Sequence, residues 1–114
     1  MSGISTHVLD TANGRPAIGI IVVLEKVGPD GAAKMIAASM TDDQGRVPRL
    51  VPEGLAFVAG TYRLTFDTQS YFASQNVECF YPSVTVLFNV RRPTEHHHVP
   101  LLLSPFSYST YRGT

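Results

Sequence analysis

Four histidines are the side chains of this sequence best suited to moving protons at neutral pH: His7 near the start, and the consecutive run His96-His97-His98. Imidazole takes and returns protons near neutrality, and it also ligates metals. On an extended strand His96 and His98 leave one face and His97 the other. His96 and His98 are then about 7 Å apart along the chain. With His7 they match in number the three-histidine sites that zinc uses. No cysteine or carboxylate cluster joins them, so the metal reading rests on three imidazoles alone. The acid–base reading needs a histidine that draws a proton from water, and cations that hold an anionic group or a developing oxyanion. Arginine suits planar, oxygen-bearing groups. Arg46, directly after Asp42-Asp43-Gln44-Gly45, and Arg112, near the end of the last strand, are the candidates. Arg15, Arg49, Arg63, Arg91 and Arg92 are equally available on spacing alone. Asp42 and Asp43 read as turn residues, and Cys79 as a small packed side chain. Glycine-rich phosphate loops, nucleophile elbows and the zinc-protease helix motif have no counterpart here.

The elements that must position these groups are strands. Short alternating apolar runs separated by Gly, Pro, Asn and Asp clusters are the pattern of a β-sandwich or barrel. Ile4 to Leu9 is the first strand, with Ile4, Thr6 and Val8 on one face and Ser5, His7 and Leu9 on the other. Ile18 to Val27 is apolar on both faces, which fits burial on both sides, in the domain or against a partner. Ala33 to Met40 returns after the turn Gly28-Pro29-Asp30-Gly31. Val47 to Gly60 is irregular. Thr61 to Asp67 turns Tyr62, Leu64 and Phe66 inward. Thr68 to Asn76 is the one helix candidate, capped by Asp67 or Thr68. Ser83 to Val90, His96 to Leu103 and Ser107 to Arg112 complete about seven or eight strands. No internal repeat or linker interrupts them.

Size and composition bound the function. The 114 residues suit one domain. The charged fraction of 16% is low against an average near 25%, which points to apolar surface hidden by association. Nine basic and nine acidic residues cancel, so no net basic field favours nucleic acid or an anionic membrane. One cysteine makes no internal disulfide. The opening Met1 to His7 has neither the basic nor the apolar region of a signal peptide, and no run is long enough to span a membrane. These features read as a cytoplasmic protein.

Three stretches resemble the 5-hydroxyisourate hydrolases of the transthyretin-like family. They are Ser5-Thr6-His7-Val8-Leu9-Asp10-Thr11 with Gly14-Arg15-Pro16-Ala17, then Thr41 to Arg46 with Gly60-Thr61-Tyr62-Arg63-Leu64, and the C-terminal His96 to Pro105 with Tyr108 to Thr114. Phe66-Asp67-Thr68 with Tyr71-Phe72 is similar to the segment that enters the family's helix. The resemblance implies an all-β, transthyretin-like two-sheet sandwich over 1–114, with one short helix. It implies a homotetramer built as a dimer of dimers, with sites in the clefts between dimers, and no metal or cofactor. The family's site histidines fall on His7 and His98 and its arginine on Arg46. Its C-terminal signature falls on Tyr111, Arg112 and Gly113, with Thr114 where serine is usual. The implied reaction is hydrolysis of 5-hydroxyisourate to 2-oxo-4-hydroxy-4-carboxy-5-ureidoimidazoline in urate degradation. His7, His98 and Arg46 would act on the reacting atoms, and Arg46, Tyr111, Arg112, Gly113 and Thr114 would bind substrate. Transthyretin itself binds a hormone without chemistry, and its pattern lacks the histidine–arginine set and this ending. His97 replaces the tyrosine of the family's His-Tyr-His, and strand parity sends it away from its neighbours.

Overall fold

The computed structural model describes residues 3–114. The reading of the opening segment as no signal peptide falls partly on Met1 and Ser2, which lie outside the described residues. The strands are β1 (Gly3–Asp10), β2 (Arg15–Pro16), β3 (Ile21–Val27), β4 (Ala33–Met40), β5 (Arg46–Val47), β6 (Gly60–Phe66), β7 (Val84–Val90), β8 (His96–Leu103) and β9 (Tyr108–Thr110), with helix α1 (Thr68–Ala73) between β6 and β7. One sheet runs β2-β1-β8-β9, and β5 pairs with β1 on the same side as β2. The other runs β4-β3-β6-β7, antiparallel throughout. None of its helices is long and apolar enough to cross a membrane among the described residues.

Alternation decides which side chains fill the space between the sheets. Ile4 and Val8 of β1 and Val99, Leu101 and Leu103 of β8 meet Val22, Leu24, Tyr62, Leu64, Phe66, Val84 and Val86 of the other sheet, all buried. Each such aliphatic or aromatic side chain contributes about 1.5–3 kcal/mol by leaving water. The complementary faces of β1 and β8 carry Ser5 and His7, and His96 and His98, so the core positions dictate where the polar groups point.

The expected elements are present, joined by two short strands that were not expected, β2 and β5, and three element ends differ instructively. β3 begins at Ile21, because Gly19 at φ 81° bends the chain and leaves Ile18 exposed. Ile21 is 45% exposed in the protomer, so only one face of β3 is covered within one chain. The regular helix stops at Ala73 rather than Asn76. The Asp67 carboxylate accepts from the Ser70 amide at the start. At the end Asn76 takes φ 58°, Asn76 N donates to Ala73 O and Val77 N to Phe72 O, a left-handed cap that satisfies the last carbonyls. β9 stops at Thr110 rather than Arg112. The Pro100 carbonyl accepts from Thr110 Oγ1 and so faces β9, but proline has no N–H to donate to the passing strand. Pairing resumes in the same register at His98 and Gly113.

A buried carboxylate ties α1 to the end of β1. Asp10 is 1% exposed and accepts from Tyr71 Oη (2.6 Å), Asn13 Nδ2 (2.9 Å) and Asn13 N (2.9 Å). Burial pushes its pKa up, but these hydrogen bonds outweigh it and hold the carboxyl below its ordinary value of 3.8. Asp10→Ala is expected to lower stability by about 2–3 kcal/mol at pH 7, because charge-assisted bonds are lost and their donors left unmet. A depressed carboxylate stabilises above its unfolded pKa and stops doing so as pH falls through the folded value. The gap between wild type and variant in urea unfolding therefore narrows below about pH 3.8. A gap unchanged down to pH 2 would assign the loss to packing alone.

Candidate active site

The turn before β5 is built by its own side chain. Asp42 Oδ1 accepts from the amides of Gln44 and Arg46, both at 2.9 Å. Those two amides hold the Asp42 carboxyl below its ordinary range, and the charges of Arg46 and His7 add to the effect. Gly45 takes φ 75°, and a Cβ there would meet the Val8 carbonyl at 2.5 Å, so the close approach of turn to β1 requires glycine. The turn thereby sets Arg46 directly opposite His7 in the β1–β5 pair. His7 Nε2 donates to the Gln44 carbonyl at 2.9 Å, because a carbonyl only accepts. No salt bridge engages Arg46 among the described residues.

β8 lies parallel to β1 and brings Ser5 level with His98. Ser5 Oγ stands 2.8 Å from His98 Nδ1 and 2.7 Å from His96 Nε2. The opposite edge of the His98 ring packs on Gly113, where an added Cβ would come within 2.6 Å of His98 Cδ2. With Nδ1 held by Ser5 and Cδ2 against Gly113, the Nε2–Cε1 edge is left for the cleft. That cleft has a volume of about 300 Å³ and is lined by Ser5, Thr6, Arg46, Pro48, His96, His98 and Thr114. Burial pushes the His98 pKa below its ordinary 6.5, and Arg46, His7 and His96 push the same way. His98 is thus neutral at pH 7, the form that accepts a proton.

Of the residues expected at the site, His98, Arg46 and Thr114 line this cleft, and Gly113 forms the wall behind His98. His7 stands beside it, opposite Arg46. Tyr111 and Arg112 are not brought there within one chain. Tyr111 is 58% exposed beside Leu87 and Phe88 at the open edge of the sandwich. Arg112 donates to Glu95 at 3.2 Å and lines a separate small cleft with Asn89, Arg91, Arg92 and His97. His97 points inward, 4% exposed, edge-on to Phe57 at 6.0 Å, with no partner for Nδ1 among the described residues. Its pKa is lowered by burial first and by Arg112 second. Among the described residues no group of three or more His, Cys, Asp or Glu side chains is arranged to hold a metal. The contribution of Ser5 was not anticipated. Its signal was its place two residues before His7 on the same strand face.

Gly113→Ala tests the wall. A methyl 2.6 Å from Cδ2 must displace the ring. Misplacing a reacting group by about 1 Å costs up to about 10²-fold in rate, so a loss of that order is expected in steady-state kinetics, without a matching loss of stability. Wild-type turnover in this variant would show that the ring position tolerates the shift.

The model of the HIUase/transthyretin family matches residues 4–113. The chain belongs to the HIUase/transthyretin family. A Caenorhabditis elegans family member described as a probable 5-hydroxyisourate hydrolase is 46% identical over 99% of this chain and 82% of its own length. The solved structure of Klebsiella pneumoniae 5-hydroxyisourate hydrolase superposes with a TM-score of 0.86 at 34% identity, each chain fully covered. Sea bream transthyretin in complex with thyroxine superposes with 0.89 at 33% identity, over 97% of this chain and 94% of its own. The hydrolase and the thyroxine-bound transthyretin thus match this backbone about equally well, so the backbone alone does not separate them.

Proposed function

We propose that this chain hydrolyses 5-hydroxyisourate to 2-oxo-4-hydroxy-4-carboxy-5-ureidoimidazoline, the ring-opening step of urate degradation that the resemblance and the names of its relatives suggest. The observation that carries the reading is the pairing of a neutral, anchored His98 with an Arg46 that has no salt bridge among the described residues, across one cleft. His98 Nε2 takes a proton from a water held in the cleft. The water oxygen bonds to a ring carbonyl carbon, and negative charge grows on the carbonyl oxygen. Arg46 N–H groups donate to that oxygen and to the planar ring. The C–N bond then breaks, and the nitrogen takes the proton back from His98. His7, tied through Nε2 to Gln44 O, keeps Nδ1 as the nitrogen that can face substrate beside Arg46.

The same proposal includes a homotetramer built as a dimer of dimers. Supporting it, β7 and β9 each end a sheet with one unpaired edge, and Leu87, Phe106, Tyr108 and Tyr111 are exposed there. Such edges invite pairing with a second copy. Tyr111 and Arg112 lie on this edge, so any part they take in binding substrate depends on assembly. Cys79, the single cysteine, leaves the fold independent of disulfides, which suits the cytoplasm.

The test generates 5-hydroxyisourate with urate oxidase and follows its near-ultraviolet absorbance. Catalytic amounts of this protein are expected to speed the spontaneous decay, with or without EDTA. Unchanged decay with folded, tetrameric protein would overturn the enzyme reading. It would favour small-ligand binding in the same cleft, the activity seen in the thyroxine complex of the transthyretin fold.

A further inference from the structure

The single proton of the Ser5 hydroxyl must serve two imidazoles. Ser5 Oγ is within hydrogen-bond distance of His96 Nε2 (2.7 Å) and His98 Nδ1 (2.8 Å), and Ser5 is 7% exposed. A hydroxyl donates one proton and accepts at two lone pairs. If both rings donated to it, the Ser5 proton would have no acceptor among the described residues. Two neutral arrangements satisfy both contacts and also use that proton. In one, Ser5 donates to His96 Nε2 and accepts from His98 Nδ1–H, which leaves His98 Nε2 with its lone pair. In the other, His96 Nε2–H donates to Ser5, Ser5 donates to His98 Nδ1, and His98 Nε2 carries the proton. Only the first gives a base on the edge that faces the cleft. The two rings therefore share one tautomer choice, made through Ser5.

We propose that Ser5 is a positioning residue that couples His96 to His98 and holds His98 as the Nδ1–H tautomer, its Nε2 lone pair turned to the cleft. This rests on the reading of His98 as the proton acceptor. When His98 Nε2 takes the proton from water, the ring becomes a cation and its Nδ1–H bond to Ser5 strengthens. Ser5 accepts throughout and does not itself lose its proton, which stays on the bond to His96. The geometry is over-determined from three sides. Parallel pairing sets Ser5 level with His98, alternation places His96 on the same face two residues earlier, and Gly113 closes off the other ring edge. The His98 ring is thereby placed before reaction, which is what a general base needs.

The test has two readouts. In long-range ¹H–¹⁵N spectra of histidine-labelled wild type near neutral pH, the His98 resonances, assigned by their loss in H98Q, are expected to show a protonated Nδ1 and a bare Nε2. Ser5→Ala is expected to give mixed His98 tautomers. It is expected to lower kcat about tenfold, the scale of one neutral hydrogen bond, with KM within about twofold. Wild-type His98 protonated on Nε2 would overturn the proposal, and so would a tautomer unchanged by S5A. Unchanged kcat would do so as well, as would a rise in KM alone, which would make Ser5 a substrate contact. The spectrum of wild type needs neither turnover nor a folded variant. If 5-hydroxyisourate is not hydrolysed, the proposed function fails while the spectrum still decides the role of Ser5.

Discussion

Replacing His98 with glutamine is expected to lower kcat about 10³-fold, the usual span of general acid–base catalysis, and to leave stability within about 1 kcal/mol. Glutamine keeps a polar end that can reach Ser5, so the wall of the cleft stays in place while the proton acceptor is gone. The pH dependence makes the assignment sharper. Burial first, then the charges of Arg46 on β5, His7 on β1 and His96 on β8, hold the His98 pKa below the ordinary 6.5. A base works only when unprotonated. In wild type, kcat/KM therefore rises as pH climbs through that depressed value and falls away on the acid side, below about pH 6.5. The acid limb should vanish in the variant, whose residual activity has no histidine to titrate in that role. An acid limb that persists in H98Q would move the proton transfer to another group, His7 first. A drop in stability that tracks the drop in kcat would mark His98 as structural.

Arg46→Ala is expected to cost about 10²–10³-fold in kcat/KM, the loss seen when one preorganised donor to a developing oxyanion is removed. The fold should be indifferent. What binds the turn are the backbone amides of Gln44 and Arg46 on Asp42, and those survive truncation of the side chain. No salt bridge is lost among the described residues. Arg46→Lys should recover only part of the rate, because a point charge lacks the planar fork that meets two oxygens at once. Removing the Arg46 charge also relieves His98, so the acid limb of the remaining activity should move to higher pH. Activity within twofold of wild type for R46A would remove the electrostatic role. Loss without any shift of the limb would separate the contact with substrate from the field at His98.

Much of the fold could be read from period and punctuation. Alternation in Thr61–Asp67 named the inward residues of β6, and Ser83–Val90 was legible as the strand that became β7. Gly45 marked a turn that only a left-handed residue could make so close to β1. Ends of elements were less legible, since each depends on something outside the run. β9 stops where Pro100, on a different strand, has no N–H to offer, and α1 yields to a left-handed Asn76. β2 and β5, two residues each, carry no periodic signal at all. The face assignment of His97 was legible, because two-residue alternation holds whatever a strand pairs with, and burial at 4% agrees with it.

The sequence by itself determined which residue types are available for chemistry, the strand faces they leave from, and through resemblance the family. It did so because side-chain alternation, turn preference and residue chemistry are local. Which groups meet was decided only by the tertiary structure. The parallel pairing of β1 with β8 joins residues 93 apart in the chain, and no local pattern encodes that register. That pairing sets Ser5 between His96 and His98. The short β1–β5 ladder picks Arg46 from among arginines that spacing left equivalent. Arg112 shows the converse. It is adjacent in sequence to Gly113, which backs the His98 ring, yet its side chain leaves the other side of the chain and bonds to Glu95.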